Sequence, residues 1–226
     1  MNGPTHGIEC IAFDLDGTLL DIGNIFYRVF NTLLPRLGLA PLDFVEERGP
    51  WRSSIRQATA VYPHVADHVS SPAFMDAWDE TLRAMLADGS VCPYNGALDA
   101  VRQLQAAGKH LCLVSNTPKR FVDIKLAAFD LRGHFEYVFT PQDPWGPKPR
   151  PDSLLHALDA LDLSPDQAMM VGDHDVDVHY ARNAGVRVAA VLNGGGSEAE
   201  LLAAQPDHLL PSVAAVPALV FGRCGG

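Results

Sequence analysis

In the run Ile8-Glu9-Cys10-Ile11-Ala12-Phe13-Asp14-Leu15-Asp16-Gly17-Thr18-Leu19, a short apolar segment passes directly into two aspartates and a glycine. Residues 8–13 predict a buried strand. Alternate residues of a strand face the same side, so Asp14 and Asp16 project together if the strand continues. Gly17 ends it and permits a tight loop, which leaves both carboxylates at the C-terminal edge. Two acids there repel each other unless a cation or a proton intervenes. By itself Asp-x-Asp-Gly is also a turn or capping cluster, and calcium loops share its opening letters. The flanking strand, in place of a helix, argues against the calcium loop.

Outward from this run, further apolar segments predict strands at 110–115, 137–140, 168–171 and 188–192, with a shorter one at 208–210. Helix-period segments lie between them. Leu98, Val101 and Leu104 begin one that ends at Gly108; Leu154, Leu155, Leu158 and Leu161 mark a second over 153–163; a third covers 177–184 and stops at Gly185. This alternation predicts an α/β fold with a parallel sheet. Strand one departs from the pattern, because about seventy residues separate it from the next βα unit, too many for a plain crossover. Helical spacing recurs there at 24–37 and at 72–87, through Phe74, Trp78, Leu82 and Met85. Gly38, Gly49, Pro50, Pro63 and Pro72 divide the stretch into several short helices. The expectation is a core domain of residues 1–20 and 92–226, with a helical domain of residues 21–91 inserted after strand one.

The chain has 226 residues, 47% hydrophobic and 19% charged, enough for a sizeable core. A net charge of -10 argues against a nucleic-acid or anionic-membrane partner, since both need a basic face, but leaves small anionic substrates open. Cys10, Cys92, Cys112 and Cys224 form no CxxC pair, and two of them sit inside apolar runs, as expected of small hydrophobes in a reducing cytosol. Residues 1–9 carry no apolar signal segment and no run approaches membrane length, so the expected location is cytoplasmic.

Three more segments fall at strand ends. Val171-Gly172-Asp173-His174-Asp175-Val176-Asp177 puts acids at the end of the fourth main strand and in the first turn of the next helix. Capping explains one acid there but not three. Ser115-Asn116-Thr117-Pro118 offers a hydroxyl and free backbone N–H groups, an N-cap or a phosphate cradle. Lys148 stands between Pro147 and Pro149 just before a helix, with little backbone freedom.

Together, in this order, these segments resemble the haloacid dehalogenase superfamily, in its phosphoglycolate-phosphatase-like branch. Asp14-Leu15-Asp16-Gly17-Thr18 matches the first motif, Ser115-Asn116 the second, Lys148 the third, and Gly172-Asp173 with Asp177 the fourth. Pro93-Tyr94-Asn95-Gly96 and the segment 181–185 also fall where that branch has glycine-bearing elements. The resemblance implies a doubly wound parallel sheet with an inserted α-helical cap domain, the switch point bringing Asp14, Asp16, Asp173 and Asp177 into one crevice. It further implies a phosphatase acting on a small phosphorylated metabolite, as a monomer or homodimer, with Mg2+ as cofactor. Asp14 is then the nucleophile and Asp16 the proton donor and later the base. Magnesium would be held by the Asp14 side chain, the Asp16 backbone carbonyl and Asp173, with Asp177 bound directly or through water. Ser115, Asn116 and Lys148 hold the transferring oxygens, and Thr18 orients the loop. The cap would close over the crevice and choose the substrate, with Arg28, Trp51, Arg52 and Arg56 as candidate contacts; Phe74 and Trp78 read as cap core instead.

The chain departs from the branch at His174, often serine there, and adds Asp175. With His179 nearby, manganese or zinc is the competing metal; the expectation is that His179 faces away and the metal is magnesium. Competing functions are a phosphosugar mutase, disfavoured by Thr18, a dehalogenase, disfavoured by Asp16, and a non-catalytic binding protein on the same fold.

Overall fold

The computed structural model describes residues 7–42, 63–69 and 71–222. Its main sheet grows from β1 (Cys10–Phe13), whose residues are all buried. A strand covered on both faces has no need of polar alternation, which is why it reads as one apolar run. β1 pairs in parallel with β4 (His110–Val114) on one edge and β6 (Ala168–Gly172) on the other. β5 (Tyr137–Phe139) extends the first side; β7 (Arg187–Val191) and β8 (His208–Leu210) extend the second. The six-stranded order is therefore β5-β4-β1-β6-β7-β8. The chain winds outward from β1 through β4 to β5, then returns to the far edge of β1 and winds the other way. Loops leaving the carboxyl ends of β1, β4 and β6 diverge at that reversal and leave a crevice.

The connecting helices are α3 (Ala97–Ala106), α4 (Lys119–Ala128), α5 (Asp152–Ala160), α6 (Asp175–Ala184), α7 (Glu198–Ala203) and α8 (Val216–Val220). On one face of the sheet Cys10, Ala12, Cys112, Val114 and Met170 pack with Leu154 and Leu158 of α5 and Val178 and Ala181 of α6. Each leucine buried in this way contributes about 1.5–3 kcal/mol. The Ser153 hydroxyl and the Tyr180 phenol share a 2.7 Å hydrogen bond between α5 and α6, so the polar atoms in that core are satisfied.

All six expected main-sheet strands are present, with ends moved by a residue or two. α6 starts at Asp175, ahead of the expected residue 177, because the Asp177 carboxylate accepts from the His174 backbone N–H and caps the helix one turn back. α7 and α8 were not anticipated. Both are short, and α7 relies on a Ser197–Glu200 capping box more than on apolar spacing.

The chain divides into two compact units, Met1–Leu20 with Pro93–Gly226, and Asp21–Cys92. β2 (Leu20–Asp21) and β3 (Cys92–Pro93) form a two-stranded sheet where the chain passes from one to the other and back. The second unit contains α1 (Ile25–Leu33), 3-10 turns at Leu34–Leu37 and Pro63–His68, and α2 (Pro72–Ala87). Ser71 caps α2 by accepting from the Phe74 N–H, with Pro72 in the first turn. Phe26, Phe30, Phe74 and Trp78 meet edge-on or tilted, with ring centroids 5.4–5.5 Å apart. Phe74 and Trp78 are thus buried core, as their spacing suggested. Trp51, Arg52 and Arg56 lie outside the described residues. Among the described residues no helix is long and apolar enough to cross a membrane.

Candidate active site

The acids and lysines of the site lie in the sheet-bearing unit, and backbone geometry places the acids. The Asp14 N–H continues the ladder to Val171 O at 2.9 Å, so Asp14 sits one step past β1 beside the end of β6. The chain then folds back, with the Gly17 N–H donating to Leu20 O at 2.8 Å. Gly17 has φ +88°, and a Cβ there would overlap the Asp173 carboxyl. Only glycine permits both the turn and that approach. Gly172 likewise leaves room for the Asp177 carboxyl.

Asp14, Asp173 and Asp177 are buried, and each offers a carboxylate oxygen within 4.8 Å of the others. Lys148 Nζ donates to Asp14 Oδ1 at 2.6 Å and to Asp177 Oδ1 at 2.7 Å. Asp173 accepts from the Thr18 hydroxyl at 2.9 Å and from the Gly195 N–H at 2.8 Å. The Asn116 side chain clamps the Lys148 backbone from both sides, donating to its carbonyl at 3.0 Å and accepting from its N–H at 2.8 Å. The lysine's freedom is therefore limited by Asn116 as well as by the flanking prolines.

Electrostatics leave this cluster short of positive charge. Burial pushes the Asp14 carboxyl well above the ordinary carboxylate value; Lys148 pulls against it, while Asp177 and Asp173 add to it. Burial and the Asp177 charge push Asp173 up to about 6, against the Gly195 and Thr18 hydrogen bonds. Burial alone would depress the Lys148 ammonium, but Asp14 and Asp177 outweigh it and hold its pKa above the usual value. With Asp16 and Lys125 included, four carboxylates face two ammoniums at this sheet edge. A dication fits that imbalance, and an all-oxygen donor set suits a hard one.

Residues 11–191 match the haloacid dehalogenase-like hydrolase family. The chain belongs to that family. Among its relatives are a phosphoglycolate phosphatase from Chromobacterium violaceum, 31% identical and covering 83% of this chain and 86% of its own, and the pyrophosphatase PpaX of Bacillus cereus, 33% identical and covering 90% and 92%. A predicted phosphoglycolate phosphatase from Haemophilus somnus has the same fold, with a TM-score of 0.79 over 94% of this chain and 98% of that one at 22% identity. CbbY from Rhodobacter sphaeroides, solved in complex with phosphate, gives a TM-score of 0.73 over 92% and 96% at 25% identity.

In this haloacid dehalogenase-like chain, Asp14, Asp173, Asp177, Lys148 and Thr18 come together. The Asp16 carboxylate does not join the three-acid cluster. It accepts from Lys125 Nζ through both oxygens, at 2.5 and 2.6 Å, and from the Thr117 hydroxyl at 2.6 Å. Ser115 is buried at the end of β4, its Oγ accepting from the Thr117 N–H at 3.1 Å. His174 and His179 stand outside the cluster. His174 pairs with Asp175 through its Nδ1, and His179 is exposed. Arg28, a candidate substrate contact, forms an exposed ion pair with Asp88 in the helical unit at 3.0 Å.

Sequence reasoning missed Lys125, Thr117 and the loop Asn193-Gly194-Gly195-Gly196. Asn193 Nδ2 donates to Gly17 O at 2.9 Å and to Thr18 O at 3.2 Å, tying the β7 loop to the loop after β1. A Cβ on Gly194 would overlap the Asp173 carboxyl. The glycine run after β7 was the available signal for this buttress.

Proposed function

We propose that the chain is a cytoplasmic, magnesium-dependent phosphatase that hydrolyses a small phosphate monoester through an aspartyl-phosphate on Asp14. The observation that carries it is the buried cluster of Asp14, Asp173 and Asp177 bridged by Lys148. Magnesium would be held by these three carboxylates with the Asp16 backbone carbonyl, and when bound it supplies Lewis-acid neutralisation of phosphate charge. The Asp14 carboxylate attacks phosphorus; the new Asp14 O–P bond forms as the bond to the leaving oxygen breaks. Asp16 gives that oxygen a proton, then takes one from the water that attacks the acyl phosphate, releasing inorganic phosphate and free Asp14. Lys148, the Ser115 hydroxyl and the Asn116 backbone N–H hold the non-bridging oxygens. The Asn116 side chain has a separate part, setting the height of the Lys148 loop. Thr18 holds Asp173 in place.

The helical unit acts as the cap that selects the substrate, with Arg52 and Arg56 attracting a second anionic group. Relatives named for phosphoglycolate support a short carboxylated monoester. A pyrophosphate substrate is the second reading, favoured by the 33% identity to PpaX. Purified protein should release phosphate from phosphoglycolate or pyrophosphate with magnesium and stop with EDTA. Acid-quenched turnover mixtures should carry phosphate on the Asp14 peptide by mass spectrometry. Magnesium-independent turnover, or phosphate on another residue, would sink the mechanism; no turnover on any small phosphate would favour a binding protein.

A further inference from the structure

α4 follows β4 and buries one stripe, made of Phe121, Val122, Lys125 and Leu126. The lysine occupies a place where the pattern calls for a fourth hydrophobe. Its side chain is 1% exposed, and a lysine is almost never so buried unless paired. Its ammonium bonds both oxygens of Asp16, and the Thr117 hydroxyl takes one of them as well. Lys148 meanwhile serves Asp14 and Asp177. Two buried lysines, one in the middle of α4 and one on the loop before α5, therefore divide the two aspartates of Asp14-Leu15-Asp16 between them.

The division solves a physical problem. Asp16 lies two residues from Asp14, close to a cluster that attracts a dication. A carboxylate there with free lone pairs would be drawn to the same cation and lose its independence. Three of the four lone-pair sites are taken, one on Oδ1 and two on Oδ2, which withholds them from the cation and fixes the side chain, while the remaining Oδ1 site can carry the proton. We propose that Lys125 is a positioning residue that fixes the Asp16 carboxylate for proton transfer and keeps it apart from the Asp14, Asp173 and Asp177 cluster. This rests on the assignment of Asp16 as the group that protonates the leaving oxygen.

Leaving groups separate this role from simple support of the fold. Departure of an alkoxide needs a proton; departure of p-nitrophenolate hardly does. In Lys125→Met with magnesium, kcat/KM for phosphoglycolate should fall about 10²-fold, while kcat/KM for p-nitrophenyl phosphate changes by less than about threefold. Thr117→Val, which removes one weaker donor, should show the same pattern at smaller size and covers the case in which Lys125→Met fails to fold. Adding Lys125→Met to Asp16→Asn should cost little more than Asp16→Asn alone, since the lysine acts through that carboxylate. Equal losses on both substrates, or additive losses in the double variant, would overturn the positioning role. A wild-type protein with no magnesium-dependent hydrolysis of either ester would overturn the phosphatase assignment itself, and is told apart by the absence of any activity to perturb.

Discussion

Both units carry ion pairs at the surface, but among the described residues only the sheet-bearing unit also buries ammonium groups. In the sheet-bearing unit the ammoniums of Lys125 and Lys148 are interior, with side chains 1% and 2% exposed, and each meets a carboxylate at hydrogen-bonding distance. In the helical unit Arg28, Arg36 and Arg83 pair with Asp88, Glu80 and Asp79 at the surface, while the interior is filled by Phe26, Phe30, Phe74 and Trp78. The second arrangement is what stability alone favours, because apolar burial is favourable and exposed pairs cost little. The first carries a desolvation penalty that well-packed hydrophobes of similar size would avoid. A buried cluster of this kind at a sheet edge is accounted for by chemistry and not by folding, and the contrast can be broken by experiment.

The largest effect should come from Asp14→Asn. The change keeps shape and removes the attacking oxygen, so magnesium-dependent turnover should drop by about 10⁴-fold or more while the far-ultraviolet circular dichroism stays the same. Near-normal turnover would remove Asp14 as nucleophile. Next is Lys148→Met, which strands Asp14 and Asp177 in a dry site. Denaturant unfolding at pH 7.5 in EDTA should show a loss of about 3–5 kcal/mol. A loss no larger than that of a surface substitution would mean that water already solvates these acids.

That these residues matter was legible from the chain because each stands at a break in an apolar run. Asp14 and Asp173 end β1 and β6, and strand ends are readable from hydrophobic runs and glycines. The sheet order was legible only through the family resemblance, since an apolar run does not name its neighbour. Lys125 was not legible by the same rule. It lies in mid-helix, seven residues past Pro118, and whether such a lysine points inward depends on what the fold places beneath it. The Asn116 clamp escaped for a related reason: an amide before a helix signals a cap, and its partner Lys148 is 32 residues away. α7 and α8 are too short to establish a period.

A third, intermediate effect separates burial from pairing. Asp14 and Asp173 bind protons more tightly in the folded protein than in the unfolded chain, Asp173 with a pKa of about 6. A carboxyl raised on folding adds stability that is full below its unfolded pKa, near 4, and is lost as pH rises through the folded value. In EDTA the protein should therefore be more stable at pH 5 than at pH 7.5, by on the order of 1–3 kcal/mol. Asp173→Asn should flatten that slope, and magnesium should restore stability at pH 7.5, since a ligand of the folded state alone stabilises it. Stability that rises from pH 5 to 7.5 without metal, in wild type and Asp173→Asn alike, would show that the acids are not desolvated as described.

The smallest effect tests the other side of the comparison. Arg36 reaches Glu80 at 2.6 Å, a short ion pair, yet the two side chains are 48% and 62% exposed. Distance alone would rank it beside Lys148–Asp14, which has the same 2.6 Å separation. Solvent screening and the entropy of holding two long side chains should nearly cancel the attraction. Arg36→Ala should then move the melting temperature by no more than about 1–2 °C, with the difference vanishing in high salt and kcat unchanged. A shift as large as that of Lys148→Met would mean that separation, and not burial, sets the strength of these pairs, and the distinction between the two units would fail.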